Sequence, residues 1–268
     1  MHRFILAVIA ALPALGLWGQ APKLEWKPVA KGVETCIIDT EYMGLHRYIS
    51  AVRFNPRKHH LQLLSSPCEA SDSTSALATK VGAIAAINGS YFNMKTLENQ
   101  TYVRENGRRS ASTLAEECYR VDGVLGLKGR KIYIDYCDTS AYDALRCKDA
   151  IAAGPVLLKG GKPVKESWPS GKFFTKHHPR SLVGVDSRGW AYLIVIDGRF
   201  KDQGEGATLD ETVAVAQLFA LKDAINLDGG GSCALWVRDG GGVLNHPYDN
   251  RRFDHYGQRV VPNILYIK

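Results

Sequence analysis

Ile225-Asn226-Leu227-Asp228-Gly229-Gly230-Gly231-Ser232 sets an apolar run against a carboxylate, three glycines and a hydroxyl. The apolar part reads as a buried strand, and the glycines stop it. A turn between two strands needs one glycine; three in a row exceed that need. Glycine tolerates positive φ and leaves space for a ligand to approach the backbone. Consecutive N–H groups in such a turn can form an anion-binding nest. Asp228 is therefore expected beside an anion cradle, at the end of a rigid element. The glycines do not follow G-x-G-x-x-G and no amphipathic helix follows Gly231, so a dinucleotide-binding, doubly wound fold is excluded.

Working outward, Ala224 to Leu227 is the strand that feeds the turn. Before it, Thr208-Leu209-Asp210-Glu211 is a capping box, which predicts a largely buried helix to about Lys222. Ser181 to Asp186 and Ala191 to Ile196 read as a hairpin around Ser187-Arg188-Gly189, and Val124 to Leu127 with Lys131 to Tyr136 as another. Ala83 to Ile87 is a buried strand ended by Asn88-Gly89, and a short helix runs from Ser71–Thr74 through Val81. Tyr48 to Phe54, Leu61 to Leu64, Ala234 to Val237 and Val260 to Ile267 are further strands. Residues 22–35 read as a polar lead-in and 93–117 as a loop-rich excursion. Strands outnumber helices and hairpins outnumber crossovers. The expected class is α+β: one domain, residues 22–268, around a mixed, mainly antiparallel sheet with few helices.

Met1-His2-Arg3 precedes an apolar run from Phe4 to Leu17, with Gly16, Gly19 and Ala21 at its end. This is the pattern of a signal peptide over residues 1–21. The run is short for a membrane span and Pro13 interrupts it, so cleavage and export to the periplasm or the exterior are expected, with no membrane attachment afterwards. The six cysteines, Cys36, Cys68, Cys118, Cys137, Cys147 and Cys233, lack C-x-x-C spacing. A zinc site is not expected; in an exported chain the even count points to disulfides, with the pairing open. The net charge of +7 favours anionic partners. Its Lys and Arg residues are scattered rather than blocked, which argues against a nucleic-acid arm.

Three strand ends follow one pattern, namely Asn88-Gly89-Ser90-Tyr91-Phe92, Asp197-Gly198-Arg199 and Asp228-Gly229-Gly230-Gly231-Ser232. Each sets a polar side chain and a glycine after a buried strand, and together they suggest one pocket. Arg180, entering a strand after His177-His178-Pro179, fits a bidentate clamp for phosphate or carboxylate, or a surface ion pair, the commoner case for a lone arginine. His177 and His178 read as loop histidines.

These segments, with Gly154-Pro155, Pro179-Arg180-Ser181, Thr208-Leu209-Asp210-Glu211 and the tail Asn245-His246-Pro247 with Arg259, occur in an order that resembles the phosphodiester glycosidase family over roughly residues 75–268. The resemblance implies hydrolysis of the bond between a sugar's anomeric carbon and a phosphodiester oxygen. Such a leaving group is already a stable anion, so strong general-acid help is less needed than in an ordinary glycosidase. Anion stabilisation and one carboxylate at the anomeric carbon are the requirements. Arg180, Arg199 and the N–H groups of Gly229, Gly230 and Gly231, beside Ser232, are the expected phosphate holders. Asp228 or Asp197 is the expected nucleophile or base. Each aspartate equally fits a supporting part: Asp197 as a turn cap, Asp228 as a brace of the nest. Asn88, with Gly89, is expected to orient sugar hydroxyls or to satisfy its own turn. Tyr91 offers a stacking face or belongs to the core.

Two readings of different kind follow. One is an exported hydrolase of small or polymeric sugar-1-phosphodiesters that needs no cofactor and no metal. The other is a non-catalytic binder of anionic glycans that uses the same cradle without reacting. A phosphodiesterase breaking the P–O bond would want a metal-ligand set that the sequence does not display.

Overall fold

Val33–Tyr42 and Leu45–Phe54 form the longest hairpin, turning through Met43 and Gly44 at φ +55° and +76°. A two-residue loop with both φ positive matches the right-handed twist of the flanking strands. The structure, a computed structural model, describes residues 20–136, 139–166 and 168–268. Of the predicted signal peptide, residues 1–19 lie outside the described residues.

The hairpin belongs to an eight-stranded sheet. Its order from edge to edge is Lys27–Ala30, Val33–Tyr42, Leu45–Phe54, Ala191–Ile196, Arg180–Asp186, Leu221–Asn226, Val156–Lys159 and Lys162–Pro163. One five-stranded sheet is built around Gly123–Lys128 and Asp149–Ala153, and a second around Ala85–Asn88 and Asn263–Ile267. Every strand pair described is antiparallel. The expected α+β class with few helices holds, with the strands distributed over several sheets instead of one.

The central strands are buried on both faces, so they read as unbroken apolar runs. Val183, Leu193, Val195 and Ile225 face a core shared with Leu125 and Ile151 of one smaller sheet and Ile87 and Leu265 of the other. Their neighbours Leu182, Ile194 and Ala224 point the other way, onto Leu209, Val213 and Ala216 of the helix Leu209–Leu218. Alternation of successive side chains between faces gives both layers a full apolar contact.

Some sequence expectations are corrected. The helix stops at Leu218 instead of Lys222: Ala220 takes φ +53°, and the chain re-enters the sheet at Leu221. The polar lead-in contains the edge strand Lys27–Ala30 and the start of Val33–Tyr42. The 93–117 excursion holds the hairpin Val103–Glu105 with Arg108–Ala111. Val260 to Ile267 is two strands, Val260–Val261 and Asn263–Ile267, in different sheets. Cys36, Cys68, Cys118, Cys147 and Cys233 are all free, so no disulfide forms among the described residues; Cys137 lies outside them.

Candidate active site

Antiparallel pairing gathers the site. Register sets Arg180 opposite Ile196 and Leu182 opposite Asn226, so the start of the Arg180 strand lies beside the ends of the strands that lead to Asp197 and Asp228. The end of Ala85–Asn88, from another sheet, is stitched on by Asp228 N–H donating to Gly89 O at 3.0 Å. The Asn88 side chain completes the joint. Its Nδ2 donates to Asp228 O at 2.8 Å, and its Oδ1 accepts from Ser181 Oγ at 2.7 Å and Ala234 N at 3.3 Å. Asn88 is thus a buried brace under Asp228, tied to distant segments, and only its 3.3 Å bond to Gly89 O serves its own turn. Gly89 lies beneath it, where a side chain would strike Asn263.

Above this joint lies a cleft of about 320 Å³ lined by Tyr91, Arg120, Phe173, Arg180, Arg199 and Asp228, with Met94, His178, Arg259 and the glycine run completing it. Asp228 is the only carboxylate of the lining among the described residues. Burial raises its carboxyl above the usual range, opposed by the Ser232 hydroxyl, the Arg120 and Arg259 charges and the Gly229 N–H. Ser232 Oγ is buried and stands near that carboxylate without reaching good hydrogen-bond geometry to any described group.

The cationic groups fall into two pairs. Arg120 is held by Glu117 at 2.6 Å, with its guanidinium 3.9 Å from the Tyr91 ring centre. Arg259 is gripped by Asp249 through Nε and Nη2. Arg180 and Arg199 have no carboxylate partner among the described residues. Arg180 is 2% exposed and anchored on carbonyls: Nε donates to Ala207 O at 2.9 Å and Nη2 to Phe173 O at 2.7 Å. Burial lowers its pKa to about 10, still well above neutrality. A buried guanidinium without a counter-charge is costly unless an anion joins it, and this applies to Arg180; Arg199 is exposed.

The expected nest is largely otherwise engaged. Gly229 N–H donates to the Asp228 carboxylate at 2.9 Å and Gly230 N–H to Pro179 O at 2.9 Å. At most Gly231 of the three amides is left for an anion. The glycines serve approach instead: Gly230 takes φ +64° beside the Arg199 guanidinium, and a side chain on Gly231 would overlap Arg259 and Asp249. The positive groups that face the cleft are therefore guanidinium groups more than backbone amides.

Tyr91 is 1% exposed, with its hydroxyl donating to Gly154 O at 2.7 Å and accepting from Asn226 Nδ2 at 3.1 Å. It forms wall and core together. Asp197 does not line the cleft. Its buried carboxylate accepts from His246 N at 2.9 Å, His246 Nδ1 at 2.8 Å and Asn245 Nδ2 at 3.1 Å. Burial raises that carboxyl, and these hydrogen bonds pull it back. Arg120, Phe173 and Met94 had no sequence signal, and Arg259 was noted only within the ordered motifs. His178, read as a loop residue, also lines the cleft. Its Nε2 donates to Lys172 O at 3.2 Å, which leaves Nδ1 as an acceptor, and burial with Arg180 and Arg199 nearby lowers its pKa, so the ring is neutral.

No curated protein matches the sequence. A hypothetical protein from Synechocystis has the same fold at TM-score 0.72 and 15% identity, over 92% of this chain and 64% of that one. The chain therefore spans less than two thirds of that relative. The catalytic domain of zebrafish N-acetylglucosamine-1-phosphodiester alpha-N-acetylglucosaminidase, auto-inhibited by its pro-peptide, matches at TM-score 0.68 and 18% identity, over 91% of this chain and 87% of that one. The phosphodiester glycosidase profile matches residues 81–268, which contain the cleft, its carboxylate and all four of its arginines, and the chain belongs to that family.

Proposed function

We propose that the protein is an exported hydrolase that cleaves the glycosidic bond of a sugar-1-phosphodiester, releasing free sugar and a phosphate monoester. The observation that carries this reading is one carboxylate, Asp228, in a cleft with two arginines, Arg180 and Arg199, that have no carboxylate partner among the described residues. Asp228 either attacks the anomeric carbon, forming a glycosyl ester that water then hydrolyses to free sugar and the restored carboxylate, or takes the proton from a water that attacks directly. The C–O bond breaks and its electron pair stays on the phosphate oxygen. Arg180 and Arg199 balance the charge that grows there, and burial strengthens the Arg180 interaction. One carboxylate suffices because the leaving phosphate needs little protonation. Neutral His178, with Nδ1 as an acceptor, suits a substrate hydroxyl. Asp197 acts at a distance by fixing the His246 loop. The family and the zebrafish enzyme's substrate class support this reading, and the N-terminal sequence pattern supports export.

The test is incubation with UDP-N-acetylglucosamine and a panel of sugar-1-phosphodiesters, with product identification and Asp228→Asn alongside. Free sugar with an intact phosphate monoester, lost in the variant, is expected. Binding without turnover across the panel would replace the hydrolase by a binder of anionic glycans. Products from P–O cleavage would also overturn the reading.

A further inference from the structure

The cleft does not end at Asp228. A second hollow of about 320 Å³ shares Tyr91, Met94, Arg120, Asp228 and Arg259 with it and continues to Asn93 and Gln100. Asn93 and Gln100 also line a third hollow of about 540 Å³, larger than the cleft itself, which reaches Ser66, Ser112 and Leu114. The chemistry changes along this path. The first hollow is rich in arginine; the third contains no cation and a single carboxylate, Glu98, among the described residues.

We infer that this groove is a binding site for a neutral oligosaccharide, so that the sugar side of the substrate is a chain of several units joined to phosphate through its terminal anomeric carbon. The inference rests on the hydrolase reading for the position of that carbon. Sugars present hydroxyls at their edges and C–H groups on their faces. The groove answers both. The Gln100 amide and the Ser66 and Ser112 hydroxyls have no hydrogen-bond partner among the described residues, and Leu97 and Leu114 supply apolar surface between them. Asn93 and Asn99 do not move freely: Asn93 Oδ1 caps Lys95 N at 2.9 Å, and Asn99 Nδ2 donates to Ser65 Oγ at 3.1 Å. Polar groups pre-set in this way bind at low ordering cost. A polyanionic chain would meet Glu98 and no cation here, which excludes nucleic acid or a polyphosphate from this arm. With Arg180 and Arg199 confined to the first hollow, phosphate and glycan are sorted to opposite sides of Asp228.

The experiment measures binding of phosphate-free tetrasaccharides of the mannose, glucose and N-acetylglucosamine series, and of their monosaccharides, to the full protein by ligand-observed NMR. At least one tetrasaccharide is expected to bind about tenfold tighter than its monosaccharide, a difference of about 1.4 kcal/mol. Ser112→Trp, which fills the far hollow from an exposed position, and Gln100→Ala should each weaken the tetrasaccharide several-fold. Equal affinity for long and short sugars in all three series, or indifference to both substitutions, overturns the groove. Hydrolysis of a panel of sugar-1-phosphodiesters, from monosaccharide to tetrasaccharide, is read in parallel. Hydrolysis without tetrasaccharide binding removes the groove alone; groove-dependent binding without hydrolysis of any diester removes the hydrolase reading and leaves the groove.

Discussion

Replacing Gly231 by alanine adds one carbon at the point where the glycine run meets the Arg259–Asp249 pair. That carbon would overlap Arg259 Nη2 and Asp249 Oδ1 and stand 2.7 Å from Arg259 Cζ, where ordinary contact begins near 3.4 Å. The guanidinium carbon must therefore retreat by roughly 0.7 Å, and its Nη2 by more. A displacement of about 1 Å in a group that positions a reaction can cost about a hundredfold in rate. Arg259 acts on Asp228 through its charge, so the expected loss in kcat/KM is about ten- to a hundredfold, roughly 1.4–2.7 kcal/mol of transition-state stabilisation. Folding should hardly notice. Gly231 lies outside the left-handed region, and Gly→Ala at a compatible backbone gains about 0.4–1 kcal/mol from the unfolded chain, which offsets part of the clash. The assay is sugar release from a sugar-1-phosphodiester, with thermal unfolding in parallel. A second signature follows from charge: with Arg259 displaced, Asp228 loses a group that lowers its pKa, so the acid limb of the rate profile should move to higher pH. Gly231→Ala with kcat/KM within about twofold of the parent, or with activity lost only because the protein unfolds, would refute the reasoning.

The pH dependence of the parent enzyme has a defined sign. Burial holds the Asp228 carboxyl above its usual range, so kcat/KM should be full above that raised pKa and fall as pH drops through it, with the limb above the ordinary value of about 4; a limb at or below that value contradicts the assignment. The same raised pKa means that ionised Asp228 weakens the fold at neutral pH, so Asp228→Asn should melt no lower than the parent while losing activity by at least about a thousandfold, and a clear drop in melting temperature argues against it. Asn88→Ala strands the Asp228 carbonyl, Ser181 Oγ and Ala234 N–H and should lower stability by about 2–4 kcal/mol in urea unfolding. Arg47 is fully buried and pairs with Glu211 at 2.6 Å; Arg47→Met removes the buried charge opposite that carboxylate, which keeps the Thr208 N–H at 2.8 Å and His177 at 3.1 Å, and should cost about 3 kcal/mol by the same measurement.

Much of the fold was legible because its signals are local. The capping box of Thr208 and Glu211 forms with both reciprocal hydrogen bonds, and the hairpin of Arg180–Asp186 with Ala191–Ile196 follows from two apolar runs and a Gly-containing turn. The helix end was not legible: Ala220 adopts the left-handed conformation without the glycine that usually marks it. Lys27–Ala30 is an edge strand, and edge strands are polar because one side faces water. Within the site, Asp197 and Asp228 carry the same local signal, a carboxylate followed by glycine after an apolar strand. What separates them is distant: His246 and Asn245 occupy the first, while the second faces the cleft. The nest is spent for a similar reason, since the Pro179 carbonyl that takes the Gly230 N–H comes from the segment that leads into the distant strand Arg180–Asp186. Arg120 stands in no motif; Glu117 and the Tyr91 ring place it.

The brace beneath Asp228 also bears on how the protein comes into being. Asn88 reaches the Asp228 carbonyl across 140 positions of sequence, and Ser90 N–H reaches Asn263 Oδ1 across 173. Contacts of such separation require large loops to close first and are among the slowest to form. A ribosome releases residue 88 long before residue 228, and residue 228 before residue 263. The brace of Asp228 can therefore close only once residues from both ends of the domain are present, which places the assembly of the cleft late in folding.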